Sequence, residues 1–216
     1  MSVDVKICGL STPETVNAAL AAGADLVGFV FYPKSPRNVS PAKAKSLAKF
    51  ARGRARIVAL IVDAEDNLVD EIVRELDPDL FQAHGSETPE RIAEIRGRTG
   101  KPVIKAIKIK TEADVAEARA YDEMAALILY DAKAPEALTH ALPGGNGIAF
   151  DWSLLGTGKT ATSFILSGGL NPGNVARAIK ITGAGIVDVS SGVEKSPGIK
   201  DITLIREFIA AAKAAR

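Results

Sequence analysis

Cysteine occurs once in this sequence, at Cys8, which rules out an intramolecular disulfide and a zinc cluster built from cysteines. Histidine occurs twice, at His84 and His140, without the helical spacing of a metal-binding pair, so no metal site is expected. No apolar stretch approaches the roughly 20 residues that cross a bilayer. The first residues, Met1 to Lys6, lack the apolar core of a secretion signal. Neither sign of charge prevails, with 27 basic residues against 26 acidic ones. A chain so balanced exerts no general pull on polyanions, so nucleic acid and membrane surfaces are not expected partners. Any bound anion must be held by a local site. Cofactor fingerprints are missing too: Cys8-Gly9-Leu10 closes the first apolar run with no G-x-G-x-x-G pattern behind it. The expectation is a cytoplasmic protein that handles a small phosphorylated molecule without metal or cofactor.

What is present is an alternation. Hydrophobic residues make up 47% of the 216, enough for a full core in one domain spanning residues 1–216. Short aliphatic and β-branched runs recur at Val3–Cys8, Leu26–Phe31, Arg56–Val62, Leu80–Ala83, Pro102–Lys108, Ala126–Tyr130, Ser163–Leu166 and Ile186–Val189. Most are continuous rather than alternating, the pattern of parallel strands covered on both faces. Helix starts fall between them. Thr12-Pro13, Ser40-Pro41 and Thr88-Pro89 each set a capping oxygen before a proline. Thr111 is followed by Glu112 and Asp114, acids where the helix dipole favours them, and a last helix begins near Asp201. Eight strands with helices between them predict an α/β fold, a closed (β/α)8 barrel with a single parallel sheet, in preference to an open doubly wound sheet.

In such a barrel, chemistry belongs at the carboxyl ends of the strands. Three glycine clusters fall there: Gly144-Gly145-Asn146-Gly147 after the sixth strand, Ser167-Gly168-Gly169 after the seventh, and Ser190-Ser191-Gly192 after the eighth. Glycines let backbone N–H groups converge on a phosphate, and the loops after strands seven and eight are where barrels build such cradles. Any one cluster serves equally as a tight turn; the pairing of the last two points to phosphate. Cys8 ends strand one, with Lys6 two residues back on the same face, a cation that favours the thiolate as base or nucleophile. An isolated cysteine is also an ordinary buried apolar residue. Asp131 follows strand six in Leu129-Tyr130-Asp131, where partial desolvation suits a proton donor, though turn aspartates occupy such places too. Asp63 follows strand three, Asp188 lies within strand eight, and Gln82 and His84 end strand four. His84 is read as a polar substrate contact or a loop residue, and His140 as exposed. Arg37, on the proline-stiffened Pro33-Lys34-Ser35-Pro36-Arg37 loop, offers a fork of donors for a carboxylate or phosphate.

Several motifs together resemble a known family. Lys6-Ile7-Cys8-Gly9-Leu10, Phe31-Tyr32-Pro33-Lys34-Ser35-Pro36-Arg37, Gln82-Ala83-His84-Gly85, and Gly144 to Gly147 with Phe150-Asp151-Trp152 are similar to segments of the phosphoribosylanthranilate isomerases. So are Leu166-Ser167-Gly168-Gly169-Leu170-Asn171-Pro172, Asp188-Val189-Ser190-Ser191-Gly192-Val193-Glu194 and Pro197-Gly198-Ile199-Lys200-Asp201, in the same order. One departure is Asn146, where the family usually has threonine. The resemblance implies a cofactor-independent Amadori rearrangement in tryptophan biosynthesis, with Asp131 as general acid and Cys8 as general base. It implies that Arg37 holds the anthranilate carboxylate and that Gly145, Gly168, Gly169, Ser190 and Ser191 take the phosphate. Gln82, His84 and Asp188 are then substrate contacts, Asp188 orienting the sugar or the amine. Two rivals stand beside it: a barrel isomerase of an aminoimidazole ribotide, which pairs two aspartates and is disfavoured by Cys8, and a non-catalytic sugar-phosphate binding protein.

Overall fold

Eight parallel strands close into a ring in the computed structural model, which describes residues 3–133, 143–145, 147, 149–155 and 164–215. His140, Asn146 and the expected strand residue Ser163 lie outside the described residues. The strands are β1 (Asp4–Cys8), β2 (Leu26–Phe31), β3 (Arg56–Ile61), β4 (Leu80–Ala83), β5 (Val103–Ile109), β6 (Leu127–Ala132), β7 (Phe164–Leu166) and β8 (Ile186–Val189). Each pairs with the next, and β8 pairs with β1 through Lys6↔Asp188, which closes the barrel. Helices α1 (Pro13–Ala22), α2 (Pro41–Ala51), α3 (Asp66–Leu76), α4 (Pro89–Thr99) and α5 (Glu112–Glu117) follow the first five strands. After β7 comes α6 (Val175–Thr182), and after β8 comes α7 (Ile202–Lys213). Between β6 and β7 the described residues hold a 3-10 turn, Trp152–Leu155.

The expected caps form. Thr12, Ser40 and Thr88 accept from the backbone N–H groups of Thr15, Lys43 and Arg91, with proline filling a first-turn position whose N–H has no helical partner. Thr111 and Asp114 make a reciprocal capping box, and Asp201 caps α7 through Thr203 and Leu204. No helix among the described residues is long and apolar enough to cross a membrane.

The period-two alternation of the strands sorts side chains into two layers. Outward residues such as Val5, Ile7, Val27, Phe29, Ile57 and Phe81 pack under the helices in one large cluster. Inward residues Leu26, Val58, Leu80, Ile104, Ala106, Leu129 and Ile165 form a separate plug. One step further along the same inward rows, the chemistry changes: Leu80 gives way to Gln82, Leu129 to Asp131, Ile165 to Ser167 and Ile186 to Asp188. The polar end of this interior is the carboxyl end of the ring.

Two strand boundaries differ from expectation in a way that matters. β5 begins after Pro102, which has no N–H to donate, and runs to Ile109. Shifted by one residue from the expected Pro102–Lys108, it pairs Lys108 with Asp131 and Ile109 with Ala132, so β6 continues two residues past Tyr130. Asp131 therefore sits on the strand itself and not in the loop after it.

Candidate active site

Cys8, from β1, and Asp131, from β6, line one cavity at the carboxyl end of the barrel. Arg37, Gln82, His84, Asp188, Gly145, Gly168, Gly169, Ser190 and Ser191 line the same cavity, so the residues expected to contact substrate and phosphate converge on it. Tyr32, Ser35, Leu60, Val62 and Leu170 complete much of the remaining wall. Asp63 takes no part; its carboxylate accepts the backbone N–H of Ser86.

Cys8 is buried at 3% exposure, among charges from its own strand (Lys6), from β8 (Asp188) and from the chain beyond β8 (Lys200). Lys6, fully buried, donates to Asp188 Oδ1 at 2.9 Å, and Ser167 Oγ donates to Asp188 Oδ2 at 3.3 Å. Burial pulls Lys6 down, but the charges of Asp188 and Cys8 overturn it and the net shift is upward. For Cys8 the balance is different from the one expected of a lysine neighbour. Loss of water pushes the thiol up, Lys6 and Lys200 pull it down, Asp188 pushes it up again, and the net direction is up. Lys6 is matched by Asp188 and so does not by itself yield a thiolate.

Asp131 is also buried, with both oxygens occupied. The N–H of Ala132 donates to Oδ1 at 2.9 Å, and His84 Nε2 lies 3.1 Å from Oδ2. His84 is thus buried and paired, not a solvated loop residue. Glycines press on this carboxyl: a Cβ at Gly144 would lie 3.0 Å from Oδ2, and one at Gly168 would lie 3.1 Å from Oδ1.

Arg37 departs from the sequence picture of a free fork. Its Nε and Nη2 donate to Glu194, and Nη2 also donates to the carbonyl of Gly145 at 3.3 Å. Among the described residues, Nη1 makes no hydrogen bond. Glu194 opens a small hairpin, β9 (Glu194–Ser196) with β10 (Ile199–Lys200), which folds back over the loop of Arg37. Gly198 at its tip, with φ of +81°, packs on the Pro36 carbonyl, where a Cβ would come within 2.6 Å.

The glycine loops after β7 and β8 meet backbone to backbone. A Cβ on Gly192 would overlap the Leu170 carbonyl, so only glycine lets these loops close to this distance. Lys200, from β10, fastens the second loop: its Nζ donates to Ser190 O at 2.8 Å and to Ser190 Oγ at 3.2 Å, and pairs with Glu194 at 2.7 Å. Ser190 Oγ in turn donates to the carbonyl of Cys8. Burial lowers Lys200 to about 8 despite Glu194. Glu194, Lys200 and Ser167 were given no role by sequence reasoning, although all three lie inside the motifs it singled out. Their partners are distant in sequence, and no local pattern marks the pairings.

The cavity brings a thiol and a carboxyl from different strands together beneath the glycine loops. The family model for N-(5'-phosphoribosyl)anthranilate (PRA) isomerase matches residues 5–211. An N-(5'-phosphoribosyl)anthranilate isomerase of Rhodopseudomonas palustris is 56% identical over 99% of this chain and 97% of its own length. One from Parvibaculum lavamentivorans is 51% identical with both chains covered in full. The crystal structure of the Thermotoga maritima phosphoribosyl anthranilate isomerase superposes with a TM-score of 0.86 at 38% identity, covering 98% of each chain. A further isomerase structure, at 37% identity, 98% coverage of each chain and a TM-score of 0.84, holds reduced 1-(o-carboxyphenylamino)-1-deoxyribulose 5-phosphate. The chain belongs to the N-(5'-phosphoribosyl)anthranilate isomerase family of enzymes.

Proposed function

We propose that this enzyme converts N-(5-phosphoribosyl)anthranilate to 1-(2-carboxyphenylamino)-1-deoxyribulose 5-phosphate, with Asp131 as general acid and Cys8 as general base. Asp131 gives a proton to the ribose ring oxygen as the C1–O bond breaks, leaving a protonated Schiff base between C1 and the anthranilate nitrogen. Cys8, as thiolate, removes the proton from C2, and the electron pair of that C–H bond neutralises the nitrogen to give an enolamine. Transfer of the enol proton to C1 yields the ketone. Only protons move, so the steps need neither metal nor redox cofactor.

The observation that carries this reading is the convergence of Cys8 and Asp131 on one cavity whose rim is the glycine loops after β6, β7 and β8. Gly145, Gly168, Gly169, Ser190 and Ser191 suit the phosphate, and Nη1 of Arg37, without a hydrogen bond among the described residues, suits the anthranilate carboxylate. His84 and Asp188 face the sugar between them, and Gln82 backs His84. The product analogue held by a relative of the same fold supports this choice of ligand. A thiol pushed up by burial is rarely ionised, yet its thiolate is the stronger base for a carbon acid. The reading carries with it a single-domain cytoplasmic enzyme of tryptophan biosynthesis that binds a small phosphorylated substrate, not nucleic acid or a membrane.

The test is turnover of N-(5-phosphoribosyl)anthranilate by the purified protein and by Cys8→Ser and Asp131→Asn. Each variant is expected to lose about a hundredfold or more in kcat while still binding the product analogue. Wild-type rates in both variants would remove the assigned acid and base. Rescue of a tryptophan-requiring bacterium that lacks the isomerase is the matching test in cells.

A further inference from the structure

Gln82, His84 and Asp131 form a relay of side chains. Gln82 Nε2 lies 2.9 Å from His84 Nδ1, and His84 Nε2 lies 3.1 Å from Asp131 Oδ2. All three residues are buried, Gln82 completely. An amide nitrogen can only donate, so His84 Nδ1 accepts and carries no proton. A neutral imidazole has one N–H, which then sits on Nε2 and donates to Asp131 Oδ2. With Asp131 ionised, as it is once its proton has been given up, the opposite tautomer would set a bare ring nitrogen against a carboxylate oxygen, two acceptors facing each other. It would also set an N–H against the Gln82 amide hydrogens. The same amide disfavours the imidazolium, since that form has a hydrogen on Nδ1. Gly144 confines the pair, because a Cβ there would lie 2.7 Å from His84 Nε2. Gln82 Oε1 has no partner among the described residues, so this orientation of the amide is held by its bond to His84 alone.

We infer that Gln82 is a positioning residue whose amide selects the Nε2–H tautomer of His84 and so aims an imidazole N–H at Asp131. The inference deepens the reading of Asp131 as the proton donor and rests on it for its catalytic meaning. As Asp131 releases its proton to the ribose ring oxygen, negative charge develops on the carboxyl, and a donor already in place receives it. Stabilisation by a preset donor needs no rearrangement at the moment of reaction. Gln82 itself touches neither the transferred proton nor the bond that breaks; it acts through His84.

The tautomer is read by nitrogen NMR of protein labelled at the histidine ring nitrogens. With two histidines in the chain, His140→Gln leaves His84 as the sole signal. Wild-type protein is expected to show a protonated Nε2 and a bare Nδ1. In Gln82→Glu, whose ionised carboxylate can only accept, the proton is expected on Nδ1. Turnover should fall about tenfold, a part of the hundredfold or more that a general acid supplies, with KM little changed. Gln82→Met, which offers neither donor nor acceptor, is expected to give mixed tautomers and an intermediate rate. A protonated Nδ1 in wild type, or an unchanged tautomer in Gln82→Glu, overturns the inference, and the wild-type spectrum decides even if a variant fails to fold. The spectrum requires no substrate. Full turnover in Asp131→Asn with the expected tautomer pattern would therefore refute the acid assignment while leaving the tautomer assignment standing.

Discussion

Glu194 holds Arg37 by both of its oxygens, Arg37 Nε donating to Oε1 at 2.8 Å and Nη2 to Oε2 at 2.9 Å. The partners are 157 positions apart in sequence, and both side chains are buried. Lys200 closes on the same carboxylate, so two cations share one acid. Removing that acid while keeping its shape is therefore informative. Glu194→Gln is expected to cost about 3 kcal/mol or more of stability, because both cations lose their buried counter-charge. It should raise KM much more than it lowers kcat, since Arg37 is loosened and the proton-transferring groups are untouched. Urea unfolding and steady-state kinetics check both; a fall in kcat at constant KM would contradict this role.

Gly28 faces Cys8 in the register of β1 with β2, and a Cβ there would lie 3.0 Å from the Cys8 sulfur. Its backbone is ordinary strand, so the glycine is needed for room beside the sulfur and not for its conformation. Gly28→Ala is expected to fold normally and to lose about tenfold or more in kcat, because a small displacement of a reacting group is costly. A crystal structure of the variant with a shifted sulfur would show the cause. Unchanged kcat would mean that the thiol has slack at this position.

Cys8 is the sole thiol, so its ionisation can be followed by alkylation without ambiguity. Burial raises it above the ordinary thiol range, which makes the thiolate scarcer at neutral pH than in a free cysteine. Labelling by iodoacetamide is expected to climb about tenfold per pH unit through the ordinary thiol range with no plateau there. Bound product analogue should suppress it. A plateau below that range would show a thiolate held by Lys6, with the cation outweighing the loss of water.

Lys200 releases its proton at about 8 in the folded protein, whereas an unfolded lysine keeps it to about 10.5. Between those values the unfolded chain binds the extra proton, so this group makes stability rise with pH. The buried thiol of Cys8 acts in the opposite sense above the ordinary thiol range, because there the folded state keeps a proton that the unfolded state has lost. In a Cys8→Ser background, unfolding free energy is therefore expected to rise between pH 8 and pH 10, at up to about 1.4 kcal/mol per pH unit from this group. Lys200→Met in the same background should flatten the rise. Equal slopes with and without Lys200 would show that Glu194 holds its charge throughout.

Much of the architecture was legible because it rests on short-range preferences. The proline-led caps at Thr12, Ser40 and Thr88 formed where their residues stand, since a capping oxygen and its N–H partner are three positions apart. The strand runs were apolar on both faces because each is covered twice, by plug and by helices. The end of β6 lies beyond its expected place because Asp131 reads locally as a turn residue. Pairing with Lys108 of the neighbouring strand overrides that preference.

Sequence alone determined the inward rows, in which Cys8, Gln82, Asp131 and Asp188 follow apolar or charged residues at a spacing of two; alternation along a strand is a local property of the backbone. Tertiary structure decided how those groups are charged and what each one holds. Lys6 meets Asp188 across 182 positions only when the ring closes, Arg37 meets Glu194 only when the last hairpin folds back, and the Cys8 thiol is raised only once water is excluded around it. Desolvation and ion pairing act through space, and the neighbours that set them are brought together by the closed barrel and not by the order of the chain.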